Sequence, residues 1–381
     1  MKIVTAIDSF KGSLTSMQAG NALKDGVLRV YPDAKITVLP VADGGEGTVD
    51  ALVEGMGGRL QTVKALNPIG DKIECVYGII EESKTAVIEM SAAAGITLIS
   101  ETERNPLNTT TYGVGEMIID AIKKGCRNFI IGIGGSATND GGIGMLQALG
   151  FDILDSDGRQ VSMGGRGLGE ICAIDNQNVI PELKECKFSI ACDVTNPLCG
   201  ENGCSAVFGP QKGADAEMVL RMDEWLLNYA RLAKSVNPDA DENYPGVGAA
   251  GGLGFAFKTF LGGTLEKGID LILNEINLEK HIEDADIVVT GEGRLDRQTV
   301  MGKAPSGVAK IAKKYDKPVI AFAGSVTNDA VKCNEAGIDA FFPIVRGVCT
   351  LEEAMKTENA YSNMADSAEQ VFKLLDNIHL K

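Results

Sequence analysis

Carboxylates stand inside glycine loops at several places in this chain. One such stretch is LPVADGGEGT, residues 39–48. An apolar run stops at Val41, and Asp43, Gly44, Gly45, Glu46, Gly47 and Thr48 follow within one loop. Glycines in a row cost backbone entropy on folding, so a loop that keeps them uses the freedom they give. Three readings fit. Acids there could hold a magnesium ion, and glycine N–H groups could hold phosphate oxygens. The plain reading is a helix start, with the acid favourable at the positive end of the helix dipole.

The pattern recurs. AIDSFKGS (6–13), GEGRLDRQT (291–299) and AGSVTND (323–329) each follow a short apolar run, as do GIGGSATNDGG (132–142) and CDVTNP (192–197). In open parallel sheets, ligands bind beyond the carboxyl ends of the strands. Six loops of glycine, hydroxyl and carboxylate residues at predicted strand ends point to an anion and metal site more than to ordinary turns. A dinucleotide fingerprint is weak here, because no full G-x-G-x-x-G occurs and no acid is placed for a ribose. No glycine loop ends in Gly-Lys-Ser/Thr, so there is no Walker A motif.

What is scarce is equally informative. Only two histidines exist, His281 and His379, and both read as structural or solvated. A Ser-His-Asp hydrolase or a histidine-ligated metal enzyme is therefore a poor fit, and acid–base work falls to carboxylates, lysine or tyrosine. The net charge of −16 argues against nucleic acid or an anionic membrane as a partner. Nine cysteines without a framework, no secretory signal layout at the start and no apolar run near 20 residues suggest a reducing cytoplasm.

These loops need elements to position them. KIVTAI and KITVLPV read as buried strands, residues 15–31 as a helix with Thr15 as N-cap, and GTVDALVEGMGG as a second helix. This βαβα order implies a parallel sheet. Towards the C-terminus ADIVVTGEG, KPVIAFAGS and DAFFPIV read as strands. APSGVAKIAKKYD, VTNDAVKCNEAG and residues 358–378 read as helices. Between them, residues 60–85 suggest antiparallel pairing. Helix 109–125, strands NFIIGIGG and KFSIACDV, and helix 214–235 then return to α/β. At 381 residues two domains are expected. The pattern predicts an outer parallel α/β domain from residues 1–64 and 285–381, Rossmann- or flavodoxin-like, and an inserted mixed-sheet α/β domain from 65–284.

Five stretches, DSFKGSLT (8–15), LPVADGGEGT, GIGGSATNDGG, CDVTNPLCGENGCSAVFGPQKGA (192–214) and GEGRLDRQT with GKAP (291–305), together resemble the bacterial glycerate kinase family (type 1), and the likeness runs from Met1 to the tail. Cys204 stands where many relatives carry a small residue. The resemblance implies two α/β domains, flavodoxin-like and restriction-enzyme-like, one inserted in the other. It also implies phosphorylation of D-glycerate by ATP with Mg²⁺, giving 2-phosphoglycerate and ADP.

Phosphoryl transfer asks mainly for positioning and charge neutralisation, which suits a protein without useful histidines. Under that reading Asp43, Glu46, Glu292 and Asp140 are metal candidates, and Gly44, Gly45 and Gly135 give close backbone approach. Lys11 and Lys212 are phosphate cations, against the usual fate of a lysine as a solvated surface group. Arg294 or Arg297 would grip the glycerate carboxylate, against a plain pairing with Asp296. Ser9, Ser13, Ser136, Thr138 and Asn139 would bind nucleotide or substrate. Asp193 is the first choice of general base and Asp296 its rival. A homodimer is compatible with the sequence. Three alternatives stay open: a small-acid-binding regulator without turnover, a kinase of a related hydroxy acid, and a hydroxy-acid dehydrogenase that would need the missing fingerprint.

Overall fold

The computed structural model describes residues 1–378, so His379 lies outside the described residues. The first strands are β1 (Lys2–Ile7), β2 (Lys35–Pro40), β3 (Arg59–Leu66), β4 (Lys72–Ile80), β5 (Thr85–Glu89) and β6 (Asn128–Gly132). They are followed by β7 (Asp152–Leu154), β8 (Ala173–Asp175), β9 (Lys187–Ala191) and β10 (Thr264–Glu266). The last three are β11 (Ile287–Leu295), β12 (Val319–Val326) and β13 (Ala340–Pro343). The class is α/β, with one all-parallel and one mixed sheet.

Two compact units result. The first comprises Met1–Asp43, Asp50–Gly57 and Ile269–Lys381. Its parallel sheet runs in the order β13-β12-β11-β1-β2, with β1 in register against β11 (Val4 beside Val288) and against β2 (Val4 beside Thr37). β1 is buried from Ile3 to Ile7, as the central strand of a parallel sheet is expected to be. Helix Ser16–Leu28 starts at a complete capping box. Thr15 Oγ1 accepts the Gln18 amide at 3.1 Å and the Gln18 side chain accepts the Thr15 amide at 2.9 Å. The last helix, Thr357–Asn377, joins the same core through Met364, Ala368 and Phe372, which cluster with Ile3, Leu23 and Val289. Arg29 ties it further by hydrogen bonds to Asp366 (2.7 Å) and Glu369 (3.1 Å).

The second unit comprises Gly44–Val49 and Gly58–Gly268. Its six-stranded sheet has the order β10-β9-β6-β5-β4-β3, antiparallel across β3-β4-β5 and parallel from β5 to β10. A separate core of Ile88, Ile131, Phe129, Leu146, Tyr229 and Phe257 fills it.

Three details differ from the sequence pattern. The divisions fall after Gly57 and Gly268 rather than near 64 and 285. Arg59–Leu66 pairs along its whole length with β4, whereas helix Gly268–Glu275 sends Ile269 and Leu273 against Gly307 of the first unit. β11 does not stop at the glycines of ADIVVTGEG but runs on through Arg294 to Leu295, paired to β12 as far as Leu295 and Val326. VTNDAVKCNEAG forms a 3₁₀ turn, Asn328–Val331, and a single helical turn, Lys332–Glu335, in place of one helix.

Candidate active site

In the first unit the loops after β1, β2, β11 and β12 share the carboxyl edge of one sheet, as parallel order requires. A cavity of about 630 Å³ lies there. Ser9, Lys11, Ser13, Asp43, Glu292, Arg294 and Asp296 all line it. Arg297 is exposed and does not. Two charged lining residues escaped the sequence reading, Asp8 and Lys303.

Asp8 ends the central strand. Its amide donates to Gly291 O at 2.9 Å, which continues the β1–β11 ladder, and its carboxylate accepts the Ser9 amide at 2.6 Å. Only 7% of it is exposed. Burial first, then the neighbouring carboxylates Asp43 and Glu292, push its pKa up to about 7, against the opposing pull of the Ser9 amide and Lys11. The signal was present in the sequence: a bare acid immediately after a five-residue apolar run.

The loop behind Asp8 is tightly built. Phe10 N donates to Leu14 O at 2.8 Å, and Ser13 N and Leu14 N donate to Phe10 O at 2.7 and 3.0 Å, with Gly12 at φ +75° making the reversal. Ser16 clips the two strand ends together: its hydroxyl donates to Ile7 O at 2.6 Å and accepts Val41 N at 2.9 Å. Ser13 Oγ is buried, lines the cavity and has no hydrogen-bond partner there.

Glu292 sits within β11, 6% exposed. Thr299 Oγ1 donates to it, and Lys303 Nζ lies 3.4 Å away. Burial raises its pKa, partly offset by the Thr299 hydroxyl and the Lys303 ammonium. Arg294 pairs loosely with Asp296, at 3.6 Å, and stays largely exposed. The cavity thus gathers four carboxylates and three cations.

The second unit treats its expected site residues differently. Asp140 is fully buried and accepts four hydrogen bonds: Thr111 N (2.8 Å), Thr111 Oγ1 (2.9 Å), Gly142 N (3.0 Å) and Gly144 N (3.4 Å). Burial still raises its pKa. Lys212 is 2% exposed, its ammonium donating to Ser136 Oγ (2.8 Å) and Thr138 O (2.6 Å), and burial lowers its pKa to about 8. Asn139 donates to Ser205 Oγ at 2.9 Å. Ser136, Thr138, Asn139, Asp140 and Lys212 therefore hold the loop's interior rather than present themselves to a ligand. Gly134 and Gly135 remain exposed, Gly135 at φ +72°. Asp193 follows β9, is exposed, and accepts the Gly268 amide at 2.9 Å.

The LPVADGGEGT loop splits between these uses. Asp43 lines the cavity of the first unit. From Gly44 the chain belongs to the second. A Cβ on Gly44, φ +85°, would stand 2.6 Å from Ala191 Cβ and 2.9 Å from Gly268 Cα, so glycine is there for close packing at the end of β9. Gly45 O accepts the Thr48 hydroxyl at 2.7 Å, which turns the chain into helix Thr48–Gly55. Glu46 is exposed.

Comparison with known proteins gives one consistent result. Residues 3–376 match the model of the glycerate kinase family. Over 371 residues the chain is 46% identical to the glycerate 2-kinase of Escherichia coli (strain K12), covering 97% of each chain. It is also 46% identical over 371 residues to the glycerate kinase of Bacillus subtilis (strain 168), again covering 97% of each. A crystal structure described as a putative glycerate kinase 2 from Salmonella typhimurium LT2 superposes with a TM-score of 0.93 at 45% identity and full coverage of both chains.

Proposed function

We propose that this chain, which belongs to the glycerate kinase family and is a kinase, transfers the γ-phosphoryl group of ATP to the 2-hydroxyl of D-glycerate, giving 2-phosphoglycerate and ADP. The observation that carries this reading is the gathering of Asp8, Asp43, Glu292 and Asp296 with Lys11, Arg294 and Lys303 on one cavity at a parallel sheet's carboxyl edge. The 2-position is supported by the name of the Escherichia coli relative, glycerate 2-kinase.

Among the described residues no three acids gather closely enough to make a ready-built metal site, so magnesium would come in with the phosphates. Asp43 and Glu292 both act on Asp8, and a hard cation would relieve their mutual repulsion. Asp43 and Glu292 would hold the ion. Bound there, it supplies neutralisation of phosphate charge.

This chain's own residues do the rest. Lys11 draws in phosphate oxygens as a point charge, and Arg294, exposed at the cavity, matches the glycerate carboxylate with its planar fork. Asp8 takes the proton of the 2-hydroxyl as that oxygen bonds to the γ-phosphorus and the bond to the β-phosphate oxygen breaks. Asp8 is preferred to Asp193 and Asp296 as base because it alone of the three is buried, at the end of the central strand and on the cavity. Nine cysteines, all without a disulfide, support a reducing cytoplasmic setting. Among the described residues no helix is long and apolar enough to cross a membrane.

The test is ³¹P NMR of the folded protein with ATP, Mg²⁺ and D-glycerate, with L-glycerate and glycerol as controls. A 2-phosphoglycerate signal growing with ADP is expected. A 3-phosphoglycerate signal would keep the kinase and move the position. No phosphoester with any acceptor would remove ATP-dependent glycerate phosphorylation altogether.

A further inference from the structure

The cavity of the first unit has a lining of two kinds. Its charged part comes from residues after β1 and β2 and at the end of β11. Its apolar part comes chiefly from the far side of the sheet: Ile344 and Val345 after β13, then Leu351, Ala354 and Met355 of helix Leu351–Met355. Phe10 adds an aromatic ring. A three-carbon hydroxy acid has no apolar face to match these groups. It would also fill only a small part of about 630 Å³, a volume in the ~300–1,000 Å³ range that encloses drug-sized ligands.

A second observation concerns the apolar wall itself. Leu351, which lines the cavity, is 75% exposed, and Val348, three residues before it and outside the lining, is fully exposed, although a chain with 44% hydrophobic residues has buried cores available to it. Neighbouring exposed apolar side chains beside a charged cavity mark a surface kept for an apolar ligand. One ligand of the proposed reaction has both an aromatic ring and several negative charges.

We infer that this cavity is the nucleoside triphosphate site: the apolar part between Phe10 and helix Leu351–Met355 receives the purine ring, and the charged part around Lys11 and Lys303 receives the phosphates. The inference rests on ATP being the phosphoryl donor, as proposed above, and adds where it binds. A sheet's carboxyl edge is a common place for nucleotide phosphates, and the β13 side supplies the greasy shelf that a phosphate-only or carboxylate-only site would lack.

The chain carries its own probe. Cys349 is exposed and lines this cavity, whereas Cys172 is exposed in the second unit. Labelling of the full chain with N-ethylmaleimide, read by peptide mass spectrometry, reports both thiols at once. Millimolar MgADP should slow Cys349 labelling at least tenfold, and adenosine at higher concentration should also slow it. Inorganic tripolyphosphate and D-glycerate should leave it within twofold, and Cys172 should not respond to any of them. As a second readout, Ala354→Trp should raise the KM for ATP tenfold or more while changing that for D-glycerate less than threefold. Turnover with ATP but no protection of Cys349, or protection by D-glycerate alone, would overturn the placement and leave the kinase reading intact. Absence of both turnover and protection would remove the donor assignment and the site with it.

Discussion

The loop after β1 and the loop after β6 are written in the same alphabet. DSFKGS and GGSATNDGG each set an acid among hydroxyl and glycine residues at the end of a buried parallel strand. In the first, Asp8 faces a cavity with other carboxylates near it, and among the described residues one donor, the Ser9 amide, reaches its carboxylate. In the second, Asp140 is fully enclosed and accepts four hydrogen bonds, while Lys212 reaches in to hold Ser136 and Thr138. Composition alone does not separate a reactive carboxylate from a structural one. The number of donors that the fold aims at it does.

Exchanging the two acids for neutral groups should break the symmetry most visibly. Asp8→Asn should lower kcat by about 10²–10⁴-fold, the range of a positioned acid or base. It should melt no lower than the wild type, because it trades a buried charge among like charges for an amide. Asp140→Ala should do the reverse. It strands Thr111, Gly142 and Gly144 donors in the interior, at a cost of about 3 kcal/mol or more in urea unfolding. Equal losses of stability in both variants would erase the distinction.

Lys212 sharpens the comparison through pH. In the fold it releases its proton near 8, against 10.5 for a free lysine. Below about 8 both states carry the proton, and the full penalty of the buried charge is present. Between about 8 and 10.5 the unfolded chain holds a proton that the folded chain has released, so stability rises with pH. Measured by urea unfolding, the stability of the wild type minus that of Lys212→Met should climb from pH 7 to pH 10 by up to about 3 kcal/mol. A flat difference would mean that the ammonium is solvated rather than enclosed.

The smallest effect separates two glycines of one loop. Gly44 and Gly47 both have positive φ, +85° and +90°, but a Cβ meets Ala191 and Gly268 at the first and nothing within 4 Å at the second. Gly44→Ala should cost about 2–4 kcal/mol and Gly47→Ala about 1 kcal/mol, compared by thermal melts.

Much of the scaffold was legible because it is local. The apolar run of β1, the Thr15–Gln18 cap and the antiparallel signals before residue 85 are all fixed by neighbours in sequence. The placement of Lys11, Asp43, Glu292 and Asp296 on one edge followed from strand order alone. What stayed hidden depends on distant chain. GEGRL reads as a loop, yet β12 pairs with it to Leu295 and makes it strand. Lys212 reads as a phosphate cation, yet a loop some seventy residues earlier encloses it. Asp8 opens the DSFKGSLT stretch with no role that the sequence assigns it, and only the approach of Asp43 and Glu292 sets it apart.

The central place of β1 has a consequence for biosynthesis. Its partner β11 begins at Ile287, some 280 residues later in the chain, whereas residues 58–268 of the second unit are contiguous. At a ribosomal rate of about 5–20 residues per second, Lys2–Ile7 waits roughly 15–60 s for the strand that covers that edge. During this interval the inserted unit can complete its own sheet, so the middle of the gene product matures before its beginning. The nascent N-terminus meanwhile carries a bare apolar strand edge, the kind of surface that chaperones at the exit tunnel hold until the last helix has emerged.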